Sequence, residues 1–262
     1  MKKILLLFLI FSSLFAQVKK EETSQTVKLD KYFQGYDAAF LMLDLNKNEY
    51  IKYNDKKTDE RLSPCSTFKI ANSLIGLETG VIKDTSFVIK WDGKKRPMEV
   101  WNKDHTLRTA FENSVVPYYQ ELARRVGKKK MKSFIKRLHY GNEDISGGID
   151  KFWLMSSLKI SASEQVEFLK KLYKNELPFS KRSIDMVKDI MIYLKTDKAT
   201  LRGKTGSSGA VDGNFLGWYT GYLTTKDNTY IFALNLESKN PDTNGPKARD
   251  IIISMLKDMQ LL

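Results

Sequence analysis

The two ends of the chain alternate apolar and polar residues with the period of two that is typical of β-strands. Near the N-terminus, residues 38–45 and 49–53 flank a short polar turn and predict a β-hairpin. Three more strands are predicted toward the C-terminus, by the segments ATLRGKTGSS, NFLGWYTGYLTT and TYIFALNLES. The pattern therefore predicts one antiparallel sheet with strands from both ends of the chain.

Between these ends, from about residue 102 to 195, apolar residues recur at helical spacing. Four helices are predicted, by the segments VPYYQELARRVG, KKMKSFIKRLHYG, SASEQVEFLKKLYKN and SKRSIDMVKDIMIYL. Ser161 and Glu164 form a capping box for the third, and residues 245–261 predict a closing helix. The predicted fold class is α/β, of the α+β kind, with an antiparallel sheet flanked by helices and an all-helical lobe. A binding cleft is expected between the two.

One more helix is predicted at residues 63–80, in the segment SPCSTFKIANSLIGLETG. Ser63 is a suitable N-cap, Pro64 suits the first helical position, and Gly80 suits the end. Because positions i and i+3 share a helix face, Ser66 and Lys69 are expected to meet there.

The N-terminus, MKKILLLFLIFSSLFAQ, has two lysines, a short apolar run and a small residue at Ala16. This pattern predicts a signal peptide at 1–16, followed by a polar tether and start of the mature chain at 17–35. The chain length suits one large domain or two small ones. The run is short for a membrane anchor, and no other apolar run approaches about 20 residues. The expected location is therefore the periplasm or the exterior of the cell, with no stable membrane insertion after signal cleavage.

Composition narrows the function classes further. The formal charge is +13, but the lysines are scattered among acidic residues and arginine is sparse, so no nucleic-acid partner is predicted. The single cysteine, Cys65, excludes an intramolecular disulfide. The two histidines, His105 and His139, are too few for a histidine-rich metal cluster, and neither is paired with a serine. We therefore predict no metal site and no Ser-His-Asp triad.

The Ser66–Lys69 pair carries candidate chemistry. A serine hydroxyl is a weak nucleophile until a base takes its proton, and a lysine is a base only when neutral. Burial lowers a lysine pKa, and the apolar neighbours of Lys69 favour burial. The alternative is a capping serine beside a surface lysine, and the S-x-x-K spacing alone leaves both interpretations open.

Three further motifs favour the catalytic interpretation. They are SVV at 114–116, which offers a second serine, YGN at 140–142, which offers a tight turn, and KTG at 204–206 within a predicted strand. The KTG motif places a cation where a substrate anion can bind, next to a glycine that lets a ligand approach the backbone. Each motif is weak alone, but their order and spacing together are informative.

These motifs, with SPCSTFKI and FWLMSSLKISA, resemble those of the class D, oxacillinase-type, serine β-lactamases. The resemblance runs from about residue 36 to the C-terminus and implies one penicillin-binding, transpeptidase-like domain at 36–262. The related class A pattern has Ser-Asp-Asn as its second motif, whereas this chain has Ser-Val-Val.

The resemblance implies a role for each matching residue. Ser66 is implied as the acylated nucleophile and Lys69 as the general base, after carboxylation by CO₂ to N6-carboxylysine. Ser114 and Lys204 are implied as the relay that protonates the leaving nitrogen. No cofactor is implied other than CO₂ or bicarbonate.

The remaining implied residues stabilise or bind. Trp153 and Val115 are implied to stabilise the carbamate, and the backbone N–H groups of Ser66 and Ser207 to form the oxyanion hole. Thr205 and Arg249 are implied to hold the substrate carboxylate, a role that suits a bidentate guanidinium. The YGN turn is expected to be structural.

The function implied is hydrolysis of β-lactams of the penicillin and oxacillin type, which confers antibiotic resistance. Two alternatives share the same serine and lysine: the sensor domain of a β-lactam receptor, and a penicillin-binding DD-peptidase. The expected partner is a small-molecule β-lactam, and the protein is expected to be a monomer or homodimer.

Overall fold

The computed structural model describes residues 29–210 and 212–262. The predicted signal peptide at 1–16 and most of the predicted tether lie outside these residues, so both stay predictions. The strands of the described part are β1 (Asp37–Asp44), β2 (Glu49–Tyr53), β3 (Val88–Ile89), β4 (His105–Thr106), β5 (Ile192–Lys195), β6 (Ala199–Ser207), β7 (Phe215–Thr225) and β8 (Thr229–Ser238).

Helices fill most of the chain between β2 and β5. The α-helices of the described part are α1 (Asp30–Phe33), α2 (Asp55–Thr58), α3 (Lys69–Glu78), α4 (Leu107–Glu112), α5 (Val116–Val126), α6 (Lys128–Leu138), α7 (Ala162–Lys174), α8 (Lys181–Ile190) and α9 (Gly245–Asp258). Two 3₁₀ turns, Cys65–Phe68 and Glu99–Trp101, complete the set.

The main sheet has six strands in the order β2-β1-β8-β7-β6-β5, and every neighbouring pair is antiparallel. The N-terminal strand β1 pairs with β8, with Asp37 opposite Glu237 and Asp44 opposite Tyr230. Helices cover both faces of this sheet, and the predicted fold class is confirmed.

Period-two alternation along the central strands divides the core between the two faces. On one face, Phe40 and Met42 of β1 join Ile252 and Met255 of α9 in one apolar cluster. On the other, Leu41 of β1 joins the cluster that contains α7 and the helical lobe. Helix α3 is buried on every side from Lys69 to Leu77, as expected for the central helix of a lobe.

Two predicted boundaries are wrong. The segment predicted as one helix over 180–194 divides into α8 and strand β5, because Ile192 and Leu194 pair with β6 at the edge of the sheet. The folded region also begins before residue 36. Leu29 and Phe33, which lie in the predicted tether and start of the mature chain at 17–35, are buried in the core around α9.

Among the described residues, none of the helices combines the length and apolar character needed to cross a membrane.

Candidate active site

The segment that carries Ser66 does not begin as the predicted α-helix. Ser66 lies in the 3₁₀ turn Cys65–Phe68, and α3 begins only at Lys69. The predicted capping role of Ser63 is wrong, because its hydroxyl is bound elsewhere: it donates to the carbonyl of Trp153 at 3.1 Å and accepts from the Met155 N–H at 3.0 Å. In a 3₁₀ turn, side chains three residues apart eclipse one another, which brings Ser66 and Lys69 together.

Ser66 and Lys69 are in direct contact. The Lys69 Nζ and Ser66 Oγ atoms lie 2.6 Å apart, and Lys69 is fully buried. Burial lowers the pKa of the Lys69 amine well below its ordinary value, and the positive charge of Lys204 lowers it further. The structure therefore excludes the surface-lysine interpretation and provides a lysine that favours its neutral, basic form.

An aromatic ring lies near this amine, and a pair of bonded hydroxyls contacts the Lys69 backbone. Lys69 Nζ lies 5.3 Å from the centre of the Tyr119 ring. The Tyr119 hydroxyl is 2.9 Å from Ser73 Oγ, and Ser73 Oγ donates to the carbonyl of Lys69 at 2.7 Å. All three residues are buried. Tyr119 and Ser73 together thus contact both the side chain and the backbone of Lys69.

Trp153 is fully buried and packs against the residue before Lys69, with its ring centre 5.4 Å from that of Phe68. Its indole N–H has no hydrogen-bond acceptor among the described residues. A buried donor without a partner is uncommon in a folded protein and is costly. This position therefore fits an additional acceptor.

Ser114 and Val115 follow helix α4. Ser114 has a positive φ of +52°, and its N–H donates to the carbonyl of Phe111 at 3.2 Å. Among the described residues, no hydrogen bond joins its hydroxyl to Ser66, Lys69 or Lys204. Val115 is buried and lines a separate cavity of about 560 Å³, beside Trp101. The predicted roles of both residues stay predictions.

Lys204 and Thr205 lie on β6. Lys204 Nζ donates to the Thr205 carbonyl and to Thr205 Oγ1, both at 3.2 Å. Burial lowers the pKa of Lys204 to about 7, and the charge of Arg249 contributes to the decrease. Lys204 also lies over the ring of Phe111, with Nζ 5.6 Å from the ring centre. The lysine of the KTG motif thus faces Phe111, near the end of α4.

Arg249, on α9, lines a cleft together with Lys204 and Thr205. Its guanidinium donates to Asp250 at 2.9 Å and lies 4.9 Å from the ring centre of Tyr193. The cleft has a volume of about 350 Å³, and Lys204, Thr205 and Arg249 all line it. The structure therefore brings the predicted carboxylate-binding residues together in one open space.

Strand β6 also passes beside the nucleophile turn. A Cβ atom at Gly206 would lie 3.0 Å from the carbonyl oxygen of Pro64, so only glycine fits there without displacement. Ser207, the next residue, is exposed, and its hydroxyl accepts from the Gly245 N–H at 2.9 Å. The KTG strand and the Ser66 turn are therefore packed backbone to backbone.

The YGN turn has a structural geometry. Gly141 has a φ of +56°, and a Cβ there would lie 1.9 Å from the carbonyl oxygen of Lys159. The Asn142 side chain donates to the Ser157 carbonyl and accepts from the Lys159 N–H.

Cys65 is buried beside the nucleophile, and burial raises the pKa of its thiol to about 11. Its sulfur lies 3.6 Å from that of Met155. At neutral pH it is therefore a protonated, enclosed thiol.

Sequence reasoning missed Tyr119, Ser73, Gln165 and Trp218, which surround the site and belong to no quoted motif. Trp218 Nε1 donates to the carbonyl of Ser63 at 3.0 Å. Ser73 lies four residues after Lys69 and therefore on the same helix face. This spacing is the one sequence signal that could have indicated any of these four residues.

The comparison with protein families matches residues 19–256 to the penicillin-binding protein transpeptidase domain. A solved structure of a class D β-lactamase from Bacillus subtilis superposes with a TM-score of 0.85 at 45% identity, covering 89% of this chain and 96% of that one. This chain belongs to the class D β-lactamase family.

Curated relatives agree with this assignment to class D. The chain is 45% identical over 236 residues to the probable β-lactamase YbxI of Bacillus subtilis (strain 168), covering 90% of this chain and 86% of that protein. It is 39% identical over 240 residues to β-lactamase OXA-48 of Klebsiella pneumoniae, covering 91% and 90%. It is also 37% identical over 228 residues to the regulatory protein BlaR1 of Bacillus licheniformis, covering 86% of this chain but 37% of that protein.

Proposed function

We propose that this class D family member hydrolyses β-lactam antibiotics of the penicillin and oxacillin type through an acyl-enzyme on Ser66. The observation that carries the proposal is the 2.6 Å contact between Ser66 Oγ and the fully buried Lys69 Nζ. A neutral amine at that distance is within reach of the serine proton. The names of the close relatives support the same substrate class.

Acylation begins when Ser66 Oγ attacks the lactam carbonyl carbon and its proton passes to Lys69. The backbone N–H groups of Ser66 and Ser207 stabilise the oxyanion that forms. As the tetrahedral intermediate collapses, the carbon–nitrogen bond of the lactam breaks. The nitrogen takes a proton from the Ser114 hydroxyl, and Lys204 assists this transfer. The proton that Lys69 took from Ser66 passes to the Ser114 oxygen, so that Ser114 is restored and Lys69 is again a base.

Deacylation uses a water molecule in place of the serine. The water attacks the ester carbon while Lys69 takes its proton, and the bond to Ser66 Oγ then breaks. Ser66 recovers its proton, and the product is the ring-opened acid. The carboxylate of the substrate is held meanwhile by Thr205 and Arg249 in the 350 Å³ cleft.

The residues around Lys69 fit a carboxylated side chain. The lowered pKa of Lys69 favours the neutral amine that reacts with CO₂, and the unpartnered indole N–H of Trp153 offers a donor to the new oxygens. Carboxylation would place an anionic oxygen base at this position instead of the amine nitrogen. Labelling with ¹³C-bicarbonate, followed by carbon NMR, would give a carbamate signal that Lys69→Ala lacks.

One turnover experiment tests the main proposal and its alternatives. Hydrolysis of a chromogenic cephalosporin is followed with and without added bicarbonate. Continued turnover that bicarbonate increases supports the β-lactamase. A single stoichiometric burst without further turnover would contradict it and would favour a peptidase or a sensor.

The sensor alternative has one specific observation in its favour, the 37% identity to BlaR1. The match spans only part of that regulatory protein, whereas it covers 86% of YbxI and 90% of OXA-48. The lifetime of the acyl adduct on Ser66, followed by intact-mass spectrometry, separates the two functions. Loss of the adduct within seconds supports hydrolysis, and an adduct stable for hours would support the sensor.

We also propose export to the periplasm or the medium, with cleavage near Ala16, and a resulting increase in β-lactam resistance. The support is the signal-like pattern at residues 1–16. N-terminal sequencing of the protein from fractionated cells, with inhibitory concentrations of oxacillin for the same cells, tests both.

A further inference from the structure

A chain of buried hydrogen bonds runs behind the nucleophile turn. Gln165, in the first turn of α7, donates from Nε2 to Thr67 Oγ1 at 2.8 Å. Thr67 Oγ1 in turn donates to the carbonyl oxygen of Pro64 at 2.7 Å. Gln165 and Thr67 are both buried. A side chain on α7 is thereby linked to the backbone two residues before Ser66.

This backbone is the part of the turn that touches β6. A Cβ at Gly206 would lie 3.0 Å from the Pro64 carbonyl oxygen and 3.2 Å from Thr67 Cγ2. The two proposed oxyanion donors, the N–H groups of Ser66 and Ser207, therefore lie on the two sides of one backbone contact. Displacement of the Pro64 carbonyl changes the spacing between these donors.

The turn needs such support, because its backbone is strained. Cys65, between Pro64 and Ser66, has a φ of +49°, in the left-handed region that a cysteine rarely adopts. Strain of this kind persists only where surrounding contacts hold it. The Trp218 side chain holds the Ser63 carbonyl from β7. The next carbonyl, that of Pro64, accepts the backbone N–H of Thr67 at 3.1 Å and is also held from α7 by the Gln165–Thr67 chain.

Helix α7 is a rigid anchor for this purpose. The capping box of Ser161 and Glu164 fixes its N-terminus, and Glu164 also pairs with Arg61. The adjacent backbone is joined by a bridge between Leu62 and Ile160.

Burial of the Gln165 amide is unfavourable unless its hydrogen bond has a specific role. Its Oε1 atom is buried and accepts no hydrogen bond among the described residues, although the Tyr140 hydroxyl, also without a partner there, lies near the Gln165 and Thr67 side chains. An apolar side chain of similar size would avoid that penalty if packing were the only requirement. The contact with Thr67 is the one hydrogen bond that its side-chain amide makes in the described part of the chain.

We propose that Gln165 is a positioning residue for the oxyanion hole, acting through Thr67 and the Pro64 carbonyl on the spacing of the Ser66 and Ser207 N–H groups. The inference rests on the roles of Ser66 and Ser207 in the proposed function. It makes α7, which contributes no group to the reaction itself, a determinant of the acylation rate.

The test measures acylation of Ser66 by a fluorescent penicillin in stopped-flow experiments, with the rate constant and the noncovalent dissociation constant obtained separately. Gln165→Leu is expected to lower the acylation rate constant about 10- to 100-fold, with the dissociation constant and the bicarbonate requirement unchanged. An unchanged rate constant, or a loss confined to the dissociation constant, would overturn the inference.

Two further variants keep the test independent of folding defects. Thr67→Val removes the middle of the chain, and its effect is expected to be non-additive with that of Gln165→Leu. Additive losses would contradict a shared route. Gln120→Leu is the matched control, because Gln120 also donates its amide to a carbonyl, that of Asp150, but away from the turn. Its acylation rate is expected to stay within about twofold of the unmodified protein.

The pH dependence of acylation in Gln165→Glu is a readout that a purely structural role of Gln165 would not change. The new carboxyl group can still donate to Thr67 while it is protonated, whereas its ionised form accepts from Thr67 and draws the threonine hydroxyl from Pro64. Relative to the unmodified protein, the acylation rate of Gln165→Glu is therefore expected to fall as pH rises. A pH-independent ratio would overturn the inference.

The same experiment distinguishes failure of the proposed function from failure of the proposed role of Gln165. All three candidate functions begin with acylation of Ser66. An unmodified protein that takes no label on Ser66 refutes the proposed function, whereas normal labelling with no variant effect refutes only the role of Gln165.

Discussion

The candidate site has two walls, and each contains a buried lysine in a different environment. The helical wall is formed by the Ser66 turn and helix α3, and the sheet wall by strand β6 and the adjacent helix α9. Lys69, on the helical wall, makes its one described side-chain hydrogen bond with Ser66 and lies over the Tyr119 ring. Lys204, on the sheet wall, is held by two oxygen atoms of Thr205 and lines the open cleft. Burial lowers the pKa of both, to about 7 for Lys204 and well below the ordinary value for Lys69.

The difference between these environments shows how one site can use two lysines in different roles. The enclosed helical wall favours a neutral lysine, as a base for Ser66 requires. The sheet wall leaves Lys204 partly protonated at neutral pH, next to the cation of Arg249. Lys204 can therefore add positive charge to the carboxylate site of Thr205 and Arg249, besides assisting proton transfer to the leaving nitrogen. Variants on the two walls should therefore fail in different kinetic constants.

The largest effect is expected from Lys69→Ala on the helical wall. Loss of the base should lower kcat/KM for a penicillin by about 10³-fold, since a positioned general base contributes about 10²–10⁴-fold. Steady-state kinetics with saturating bicarbonate measure this. Lys57→Met is the control, because Lys57 is also buried but pairs with Asp37 and Glu237 on the sheet. That control should lose stability and keep its turnover number, and equal losses of activity would contradict the comparison.

Trp153→Phe should come next. The substitution keeps the packing against Phe68 but removes the indole N–H, and a lost hydrogen bond to a charged group is worth about 10- to 100-fold. The deacylation rate should fall by that factor and the bicarbonate concentration for half-maximal activity should rise. Trp91→Phe, which removes an exposed indole bonded to Lys94, serves as control. Deacylation at the unmodified rate in Trp153→Phe would refute a carbamate held by Trp153.

On the sheet wall, Arg249→Ala should raise KM about tenfold with a smaller change in kcat, because one charge-assisted contact with the substrate carboxylate is lost. The control is Arg202→Ala, which removes an arginine of strand β6 that donates to the Lys188 carbonyl and does not line the cleft. A KM increase of equal size in both variants would count against a specific role for Arg249.

The smallest effect is a pH dependence that separates the two walls. Lys204 is protonated below about pH 7, so KM for a substrate carboxylate should rise as pH increases through 7. Lys204→Arg keeps its charge across this range and should remove the rise. A pH-dependent KM that survives in Lys204→Arg would assign the titration to another group.

The same pKa has a consequence for stability. Between pH 7 and 10.5 the unfolded chain binds a proton at Lys204 that the folded chain does not, so the free energy of unfolding should increase with pH across that interval. Lys204→Met lacks this contribution. Urea denaturation of both proteins at pH 7 and pH 10 measures the difference.

The sequence predicted the sheet well, because each strand carries a local pattern. The β1–β2 hairpin and strands β6, β7 and β8 follow their apolar alternation, and the Ser161–Glu164 capping box marks the start of α7. Ser66, Lys69 and the KTG lysine were found because their spacing is local. The structure brings the last of these to the first two only through the packing of β6 on the turn.

The failures arise where distant contacts override local preference. Ser63 has the composition of an N-cap, but Trp153 and Met155 bind its hydroxyl. The end of the predicted fourth helix becomes β5 because the sheet edge accepts it. Gln165 lies on an ordinary helix pattern, and its link to Thr67 spans 98 residues of sequence, so no motif could indicate it.

The pairing of β1 with β8 also sets a condition on how the protein is made. Strand β1, near residue 40, has both neighbouring strands only after β8, near residue 235, has been synthesised, and pairing between such distant segments slows folding. A ribosome-bound chain that stops before Thr229 presents β1 with one edge unpaired and open to other chains. Enzyme activity should therefore appear only after the last strand is synthesised, and shortened chains should aggregate rather than retain part of the activity.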